Sequence, residues 1–129
     1  MSPALERPPL AAGEFYPADP AELTRALSEL FAGVKRLRLS RPPLLLVTPH
    51  SALEKSGAVA AAAFAHLLGQ KYDAVVIIAP SHTGHFPGVS VYDGERYRTP
   101  LGELPVERAL ASEIAQLTPA VKLSSRGHA

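Results

Sequence analysis

Two histidines follow two similar apolar runs, and no other part of the sequence indicates a functional site as strongly. The run LLLV at 44–47 is followed by Thr-Pro and then His50, and the run AVVIIA at 74–79 is followed by Pro-Ser and then His82. Apolar runs of this length, bounded by chain breakers, are typical of strands covered on both faces in a parallel sheet. Ligands bind beyond the carboxyl ends of such strands. We therefore expect both imidazoles to lie at one shared site.

A pair of neutral imidazoles is a ligand set that suits iron(II), zinc or copper. Neighbouring strands lie about 4.8 Å apart, so side chains at their ends can converge on one ion. The chain has no cysteine, so any further ligand must offer nitrogen or oxygen. Glu54 is the nearest acidic candidate, and Glu103 and Glu107 are more distant ones. His85 is either a substrate or outer-sphere group or an exposed loop residue.

Other catalytic patterns are absent or explained by structure. Ser81 and His82 are adjacent, and adjacent side chains on an extended chain point to opposite faces, so they cannot form a nucleophile–base pair. The sequence contains no Gly-x-Ser-x-Gly elbow, dinucleotide fingerprint or Walker loop, so we expect no nucleotide cofactor. Tyr92 and Tyr97 are more simply cross-strand partners than catalytic phenols.

Bulk properties predict one soluble domain spanning 1–129. The chain is 47% hydrophobic and 19% charged with a formal net charge of +1, which gives no reason to expect nucleic acid or an anionic membrane as partner. The basic cluster at 35–41 is a solvated linker or, less simply, a phosphate-binding patch. No signal peptide is evident, and no apolar segment approaches the ~20 residues of a membrane span. We expect a cytoplasmic protein.

Local signals predict the first half of the fold. Asp19 as N-cap, Pro20 at the first helical position and Gly33 at the end predict one helix. Ser56 as N-cap predicts a second helix over 58–68, whose small alanines would let it lie close to a sheet. With the runs at 44–47 and 74–79 as flanking strands, this helix completes a right-handed βαβ unit.

The second half of the sequence predicts short strands as well as a helix. Residues 89–92 and 96–98 flank Asp93-Gly94, which predicts a β-hairpin. We also expect a turn at 99–102, a further helix from Pro105 to about Leu117, and another strand that starts at 121–123. The fold class we predict is α/β: a βαβ core with a mostly parallel central sheet, helices on both faces and a hairpin near 89–98.

Several short motifs occur in an order that resembles the Memo family, whose bacterial and archaeal members are called AmmeMemoRadiSam system protein B. The motifs are AGEFYP at 12–17, PH at 49–50 followed by SGAVA at 56–60, PSH at 80–82 and YRTPLG at 97–102. The resemblance begins near Gly13 and continues to the end of the chain. It covers the N-terminal half of the family's domain.

This resemblance implies a fold similar to class III extradiol dioxygenases, which hold iron with two histidines and a glutamate. Memo proteins are similar at the histidines but commonly have a distant cysteine as third ligand. His50 and His82 match the two histidine positions. The family is associated with iron or copper handling and redox signalling. By gene grouping it is associated with radical SAM and AMMECR-type proteins.

The chain departs from the family pattern beside the first histidine. Memo proteins usually read Pro-His-Ala-Gly-Tyr-x-Tyr-Ser-Gly there, whereas residues 49–57 read PHSALEKSG. The lost glycine and tyrosines change the backbone freedom and lining of the loop. His128 matches the first histidine of the next family motif, His-x-x-Glu-His-Ser.

Three interpretations follow. The leading one is a Memo-like protein with a partial two-histidine metal site, formed by His50 and His82, that weakly binds iron, copper or zinc. The second is a non-heme metal-dependent enzyme of dioxygenase type, completed by Glu54 or by a ligand from a partner chain. The third is a non-catalytic interaction module with vestigial histidines. An exposed sheet edge would also favour a homo-oligomer.

Overall fold

The computed structural model describes residues 6–128, which divide into two compact units. The helical unit comprises residues 11–73, and the sheet unit combines residues 6–10 with 74–128. Three α-helices and two small sheets occur among these described residues, so the fold is of the predicted α/β class. None of the helices in this range is long and apolar enough to cross a membrane.

The first helix, α1 (Pro20–Ala32), begins and ends where its cap residues predict. The Asp19 carboxylate accepts a hydrogen bond from the Glu22 backbone N–H at 2.9 Å, which satisfies one of the unpaired amides of the first turn. Gly33 occupies the C-cap. The sequence prediction for this helix is confirmed.

The second helix, α2 (Leu53–Phe64), begins earlier than predicted and continues into a 3₁₀ turn at Ala65–Leu67. Ser56 was the predicted N-cap, but it lies inside the helix and its hydroxyl donates to the Ser51 carbonyl at 3.0 Å. The Leu53 amide instead donates to the Phe15 carbonyl at 2.8 Å. A contact distant in sequence thus satisfies the first amide, and local cap rules could not reveal it.

Small residues let α1 and α2 approach closely. Gly57, Ala61 and Ala65 follow one another at four-residue spacing and are all buried. A Cβ atom added at Gly57 would lie 2.9 Å from Leu30 Cδ1 on α1. We expected the small residues of this helix to lie against a sheet, but this glycine contacts α1 instead.

The sheet unit contains two small sheets. In the first, β1 (Glu6–Arg7) pairs in parallel with β3 (Arg96–Thr99), and β3 pairs antiparallel with β4 (Gly102–Pro105). In the second, β2 (Val89–Val91) pairs in parallel with β5 (Val121–Leu123). The predicted strand at 121–123 is confirmed.

The predicted hairpin over 89–98 is wrong, because β2 and β3 belong to different sheets. Gly94 of the Asp-Gly pair is instead explained by packing. A Cβ atom at Gly94 would lie 2.3 Å from the Tyr92 ring, so the glycine leaves space for this buried side chain. The hairpin joins β3 to β4 through the predicted turn at 99–102. There the Thr99 hydroxyl donates to the Gly102 carbonyl at 2.9 Å and accepts from the Leu101 amide.

The third helix, α3 (Arg108–Gln116), lies within the predicted span but starts later. Pro105 ends β4 instead of opening the helix. The Glu107 carboxylate accepts a hydrogen bond from the Ala109 amide at 3.3 Å and caps α3. This helix contacts both β5 and β2, so it packs on the parallel pair.

The strands predicted at 44–47 and 74–79 are wrong for this structure. The predicted βαβ core, which needed both of these strands, is therefore wrong as well. Neither run forms a strand, and their large side chains are mostly exposed. The apolar pattern indicates a tendency toward burial, but a strand also needs a neighbour that completes its hydrogen-bond ladder. No strand within residues 6–128 supplies that ladder to either run.

Candidate functional site

His50 lies in the helical unit, in the loop between the exposed run 44–47 and the start of α2. Its side chain is exposed. Glu54, the nearest acidic candidate, stands in the first turn of α2 and is also exposed. A carboxylate there complements the positive N-terminal end of the helix, so Glu54 has a structural role whether or not it binds a metal.

His82 lies in the sheet unit and is exposed at the start of a tight turn. The Ser81 hydroxyl oxygen accepts a hydrogen bond from the Gly84 amide at 3.1 Å, which holds this turn. Ser81 and residues 84–88 line an open depression in the surface, and His85, one of these lining residues, is exposed. Ser81 therefore shapes the loop beside His82.

The more distant candidates for a third ligand are committed to other contacts. The Glu103 carboxylate lies 3.2 Å from Arg96 and 3.6 Å from Arg98, in an ion-pair network on the surface of the first sheet. Glu107 caps α3. Within residues 6–128, no group of three or more His, Cys, Asp or Glu side chains is placed to hold a metal ion.

A second polar cluster, which sequence reasoning missed, surrounds His128. The Nδ1 atom of His128 lies 2.8 Å from the Tyr97 hydroxyl, and Nε2 lies 3.0 Å from the Ser90 carbonyl oxygen. Arg7 donates from Nε to the His128 carbonyl, and its guanidinium lies 5.4 Å from the Tyr97 ring centroid. The Tyr92 ring contacts both neighbouring rings, with centroids 4.9 Å from Tyr97 and 5.2 Å from His128.

The hydrogen bonds of this cluster indicate which ring nitrogen of His128 carries a proton. A carbonyl oxygen only accepts, so the Ser90 carbonyl requires the proton on Nε2 of His128, and a neutral ring then accepts at Nδ1 from the Tyr97 hydroxyl. Burial raises the pKa of the Tyr97 phenol, an effect that the Arg7 charge partly opposes. Burial and the nearby Asp93 charge raise the pKa of Tyr92. Both phenols therefore stay protonated at neutral pH.

Both ring nitrogens of His128 have partners, so the side chain anchors the 3₁₀ turn Arg126–His128 to β2 and β3. The sequence did contain a signal: the family resemblance singles out His128. It gave no sign of the partners Ser90 and Arg7, which are distant along the chain.

Comparison with known proteins identifies relatives over most of the sequence. The profile of the family described as Memo-like protein matches residues 7–129. A MEMO1 family protein of Sulfolobus acidocaldarius is 36% identical over 133 aligned positions, which cover 95% of this chain and 47% of that protein. One from Ignicoccus hospitalis is 35% identical, with 97% and 47% covered. One from Methanosarcina barkeri is 41% identical over 105 positions, with 81% and 38% covered.

These matches include both apolar runs and both histidines that follow them, because the family profile extends over the whole stretch from residue 7. The chain spans about half the length, or less, of the curated relatives that it matches. Because this profile matches residues 7–129, the chain belongs to the Memo-like protein family.

Proposed function

We propose that this protein is a metal-binding member of the Memo family in which His50 and His82 hold one ion between them. The observation that carries the proposal is the repeated arrangement of an apolar run, two residues and a histidine, within a region that matches the family. Both side chains are exposed, so neither is enclosed in an apolar core. The imidazole side chain is among the commonest metal ligands in proteins.

The donor set fits such an ion in part. Two imidazole nitrogens suit iron(II), copper or zinc, and the chain has no thiolate that would favour softer coordination. The described residues offer no group of three ligands, so we expect weak binding and open coordination positions. When bound, iron or copper would supply Lewis-acid and redox chemistry, and the part assigned to the two histidines is to bind and orient the ion.

Calorimetric titration with iron(II), copper(II) and zinc(II) tests this proposal. The wild type should bind at least one of these metals, and the His50→Ala/His82→Ala variant should bind it at least about tenfold more weakly. His85→Ala is the matched control, because it removes an exposed histidine from the same loop region and should leave the affinity unchanged. Equal binding by the wild type and the double variant would contradict the proposal.

A second candidate function is a dioxygenase-type enzyme whose third ligand comes from Glu54 or from a partner chain. It is favoured by the length of the relatives that lies outside the match, which is sufficient to supply a further ligand. Anaerobic reconstitution with iron(II), followed by a ring-opening assay on several catechols, tests it. Turnover that Glu54→Gln abolishes would assign the ligand to this chain, and no turnover with any catechol would refute the enzyme.

The resemblance to the Memo family also supports a cellular context. We propose a cytoplasmic location and association with a radical SAM protein and an AMMECR-type protein. Affinity purification of the tagged chain from its native cells, followed by mass spectrometry, should recover one or both proteins. Their absence, with the tagged chain itself recovered, would remove this part of the proposal.

A further inference from the structure

The AGEFYP motif forms a compact turn in the helical unit, here called the motif turn (residues 12–17). The Phe15 amide donates to the Ala11 carbonyl at 2.9 Å, and the Gly13 amide donates to the Tyr16 carbonyl at 2.7 Å. Gly13 has a φ angle of +85°, a left-handed conformation that glycine adopts without steric cost. None of these residues has a role in the metal site proposed above.

The motif turn holds the start of α2 from outside the helix. Its Phe15 carbonyl accepts the hydrogen bond of the Leu53 amide at 2.8 Å. Leu53 is the first residue of α2, and Ala52 at the N-cap makes no side-chain hydrogen bond. The first amides of a helix lack partners within the helix, so an uncapped start needs an acceptor from elsewhere. The motif turn supplies that acceptor.

The same hydrogen bond restricts the loop that carries His50. Leu53 follows this histidine closely in the chain, and between them the Ser51 carbonyl accepts a hydrogen bond from the Ser56 hydroxyl at 3.0 Å. On the other side of the histidine, the ring of Pro49 locks its own φ angle. The backbone is therefore constrained immediately before His50 and at two points after it.

We propose that the motif turn is a positioning element for the His50 ligand: through the Leu53 amide, the Phe15 carbonyl holds the loop in the conformation from which the imidazole binds the ion. This inference rests on the proposed function, because it concerns the same metal site. A loop that leaves its binding conformation lowers the apparent affinity by the fraction of molecules that remain competent. The motif turn contributes no ligand, so its loss should lower the affinity without changing the number of ions bound.

Leu53→Pro removes the connecting hydrogen bond but is compatible with the start of the helix. Proline is favoured at the first helical position, and Ala52, with φ −51° and ψ 145°, has the extended backbone that a following proline requires. Leu53→Ala is the matched control, because it also removes the leucine side chain but keeps the amide that donates to Phe15. In calorimetric titration with iron(II), copper(II) and zinc(II), Leu53→Pro should bind about three- to tenfold more weakly than Leu53→Ala.

A pair of glycines in the helical unit separates positioning from a general loss of stability. Gly13 and Gly69 have φ angles of +85° and +80°, and a Cβ atom would meet nothing closer than 3.8 Å at Gly13 and nothing within 4 Å at Gly69. Alanine should therefore cost a similar backbone strain at either position. Only Gly13 belongs to the motif turn, so Gly13→Ala should bind metal at least about threefold more weakly than Gly69→Ala.

NMR relaxation of the Ser51 and Ala52 amides reports the order of the loop in the metal-free chain. Both amides should have order parameters near the value of about 0.85 for rigid backbone in the wild type and in Leu53→Ala. In Leu53→Pro the values should fall toward about 0.6, which indicates a flexible segment. This readout does not depend on metal binding.

Three results would overturn the positioning role while leaving the metal site in place. They are equal affinity of Leu53→Pro and Leu53→Ala, equal weakening by Gly13→Ala and Gly69→Ala, and unchanged order of the Ser51 and Ala52 amides in Leu53→Pro. A wild type that binds none of the three metals would instead refute the metal site itself and the positioning role with it. The two failures are therefore distinguishable.

Discussion

Gly88 is the position where the structure most sharply forbids a side chain. Its φ angle is +84°, and a Cβ atom would lie 2.0 Å from the Ala120 carbonyl oxygen. That oxygen accepts a hydrogen bond from the Val89 amide at 2.8 Å, at the start of the β2–β5 pairing. Gly88→Ala should cost about 1–2 kcal/mol for the left-handed backbone and about 1 kcal/mol for the broken hydrogen bond.

Gly69 offers a matched control for this prediction. Its φ angle is +80°, almost the same as that of Gly88, but a Cβ atom there meets nothing within 4 Å. Gly69→Ala should therefore cost only the roughly 1–2 kcal/mol of the left-handed backbone, and the restriction of the unfolded chain, which is the same for both substitutions, does not affect the difference between them.

Amide hydrogen exchange measured by NMR separates the two effects. A loss of about 2–3 kcal/mol should speed exchange of the Val89 amide by about 30–150-fold in Gly88→Ala. In Gly69→Ala, the nearby Gln70 amide, which donates to the Leu67 carbonyl, should exchange only about 5–30-fold faster, so the acceleration at Val89 should exceed it by about fivefold. Equal acceleration at the two sites would show that the close approach of Ala120 does not exist, and would refute the placement of β2 beside β5.

Three further predictions concern packing, capping and pH. Gly57→Leu introduces a good helix former, so the loss of about 1–3 kcal/mol expected in urea denaturation would report the close packing of α2 on Leu30, and no loss would contradict that packing. Asp19→Ala should destabilise α1 by about 1 kcal/mol, whereas Asp19→Asn should retain most of the cap. Tyr92 and Tyr97 have raised pKa values in the folded state, so the unfolded chain loses these protons first and stability should fall as pH rises above the ordinary value of 10.0. Urea denaturation at increasing pH checks this, and stability that stays constant through that range would contradict the burial of the phenols.

Elements whose signals are local could be predicted from the sequence. The ends of α1 follow from Asp19 and Gly33, because a cap acts within a few residues of itself. The 99–102 turn is likewise closed by its own Thr99 hydroxyl. The helix predicted from Pro105 to about Leu117 contains α3, although α3 starts later, and the predicted strand at 121–123 is β5.

Elements that depend on distant partners could not be predicted. The Asp93-Gly94 pair is a good hairpin signal, yet the Tyr92 ring occupies the space beside Gly94 and β2 pairs with β5 instead. The start of α2 is set by the Phe15 carbonyl. The apolar runs at 44–47 and 74–79 illustrate the same point. Their hydrophobicity indicates that they favour burial, but it does not identify the element that would cover them.

Some residues of the candidate site could be predicted from the sequence and others could not. Sequence spacing located His50 and His82 after their apolar runs, and the convergence of the two rings on one ion stays a prediction. The His128 cluster escaped sequence reasoning because its partners Ser90 and Arg7 come from distant strands. A histidine with two satisfied ring nitrogens and one with ligand function look the same in a sequence, and only the hydrogen-bond partners distinguish them.

The central claim, that two histidines share one ion, is tested most directly by a double-mutant cycle on zinc(II) affinity with wild type, His50→Ala, His82→Ala and the double variant. If the rings bind the same ion, either single substitution should cost nearly as much as both together, with a coupling free energy above about 1 kcal/mol. Additive losses, or affinities that no substitution changes, would contradict the claim.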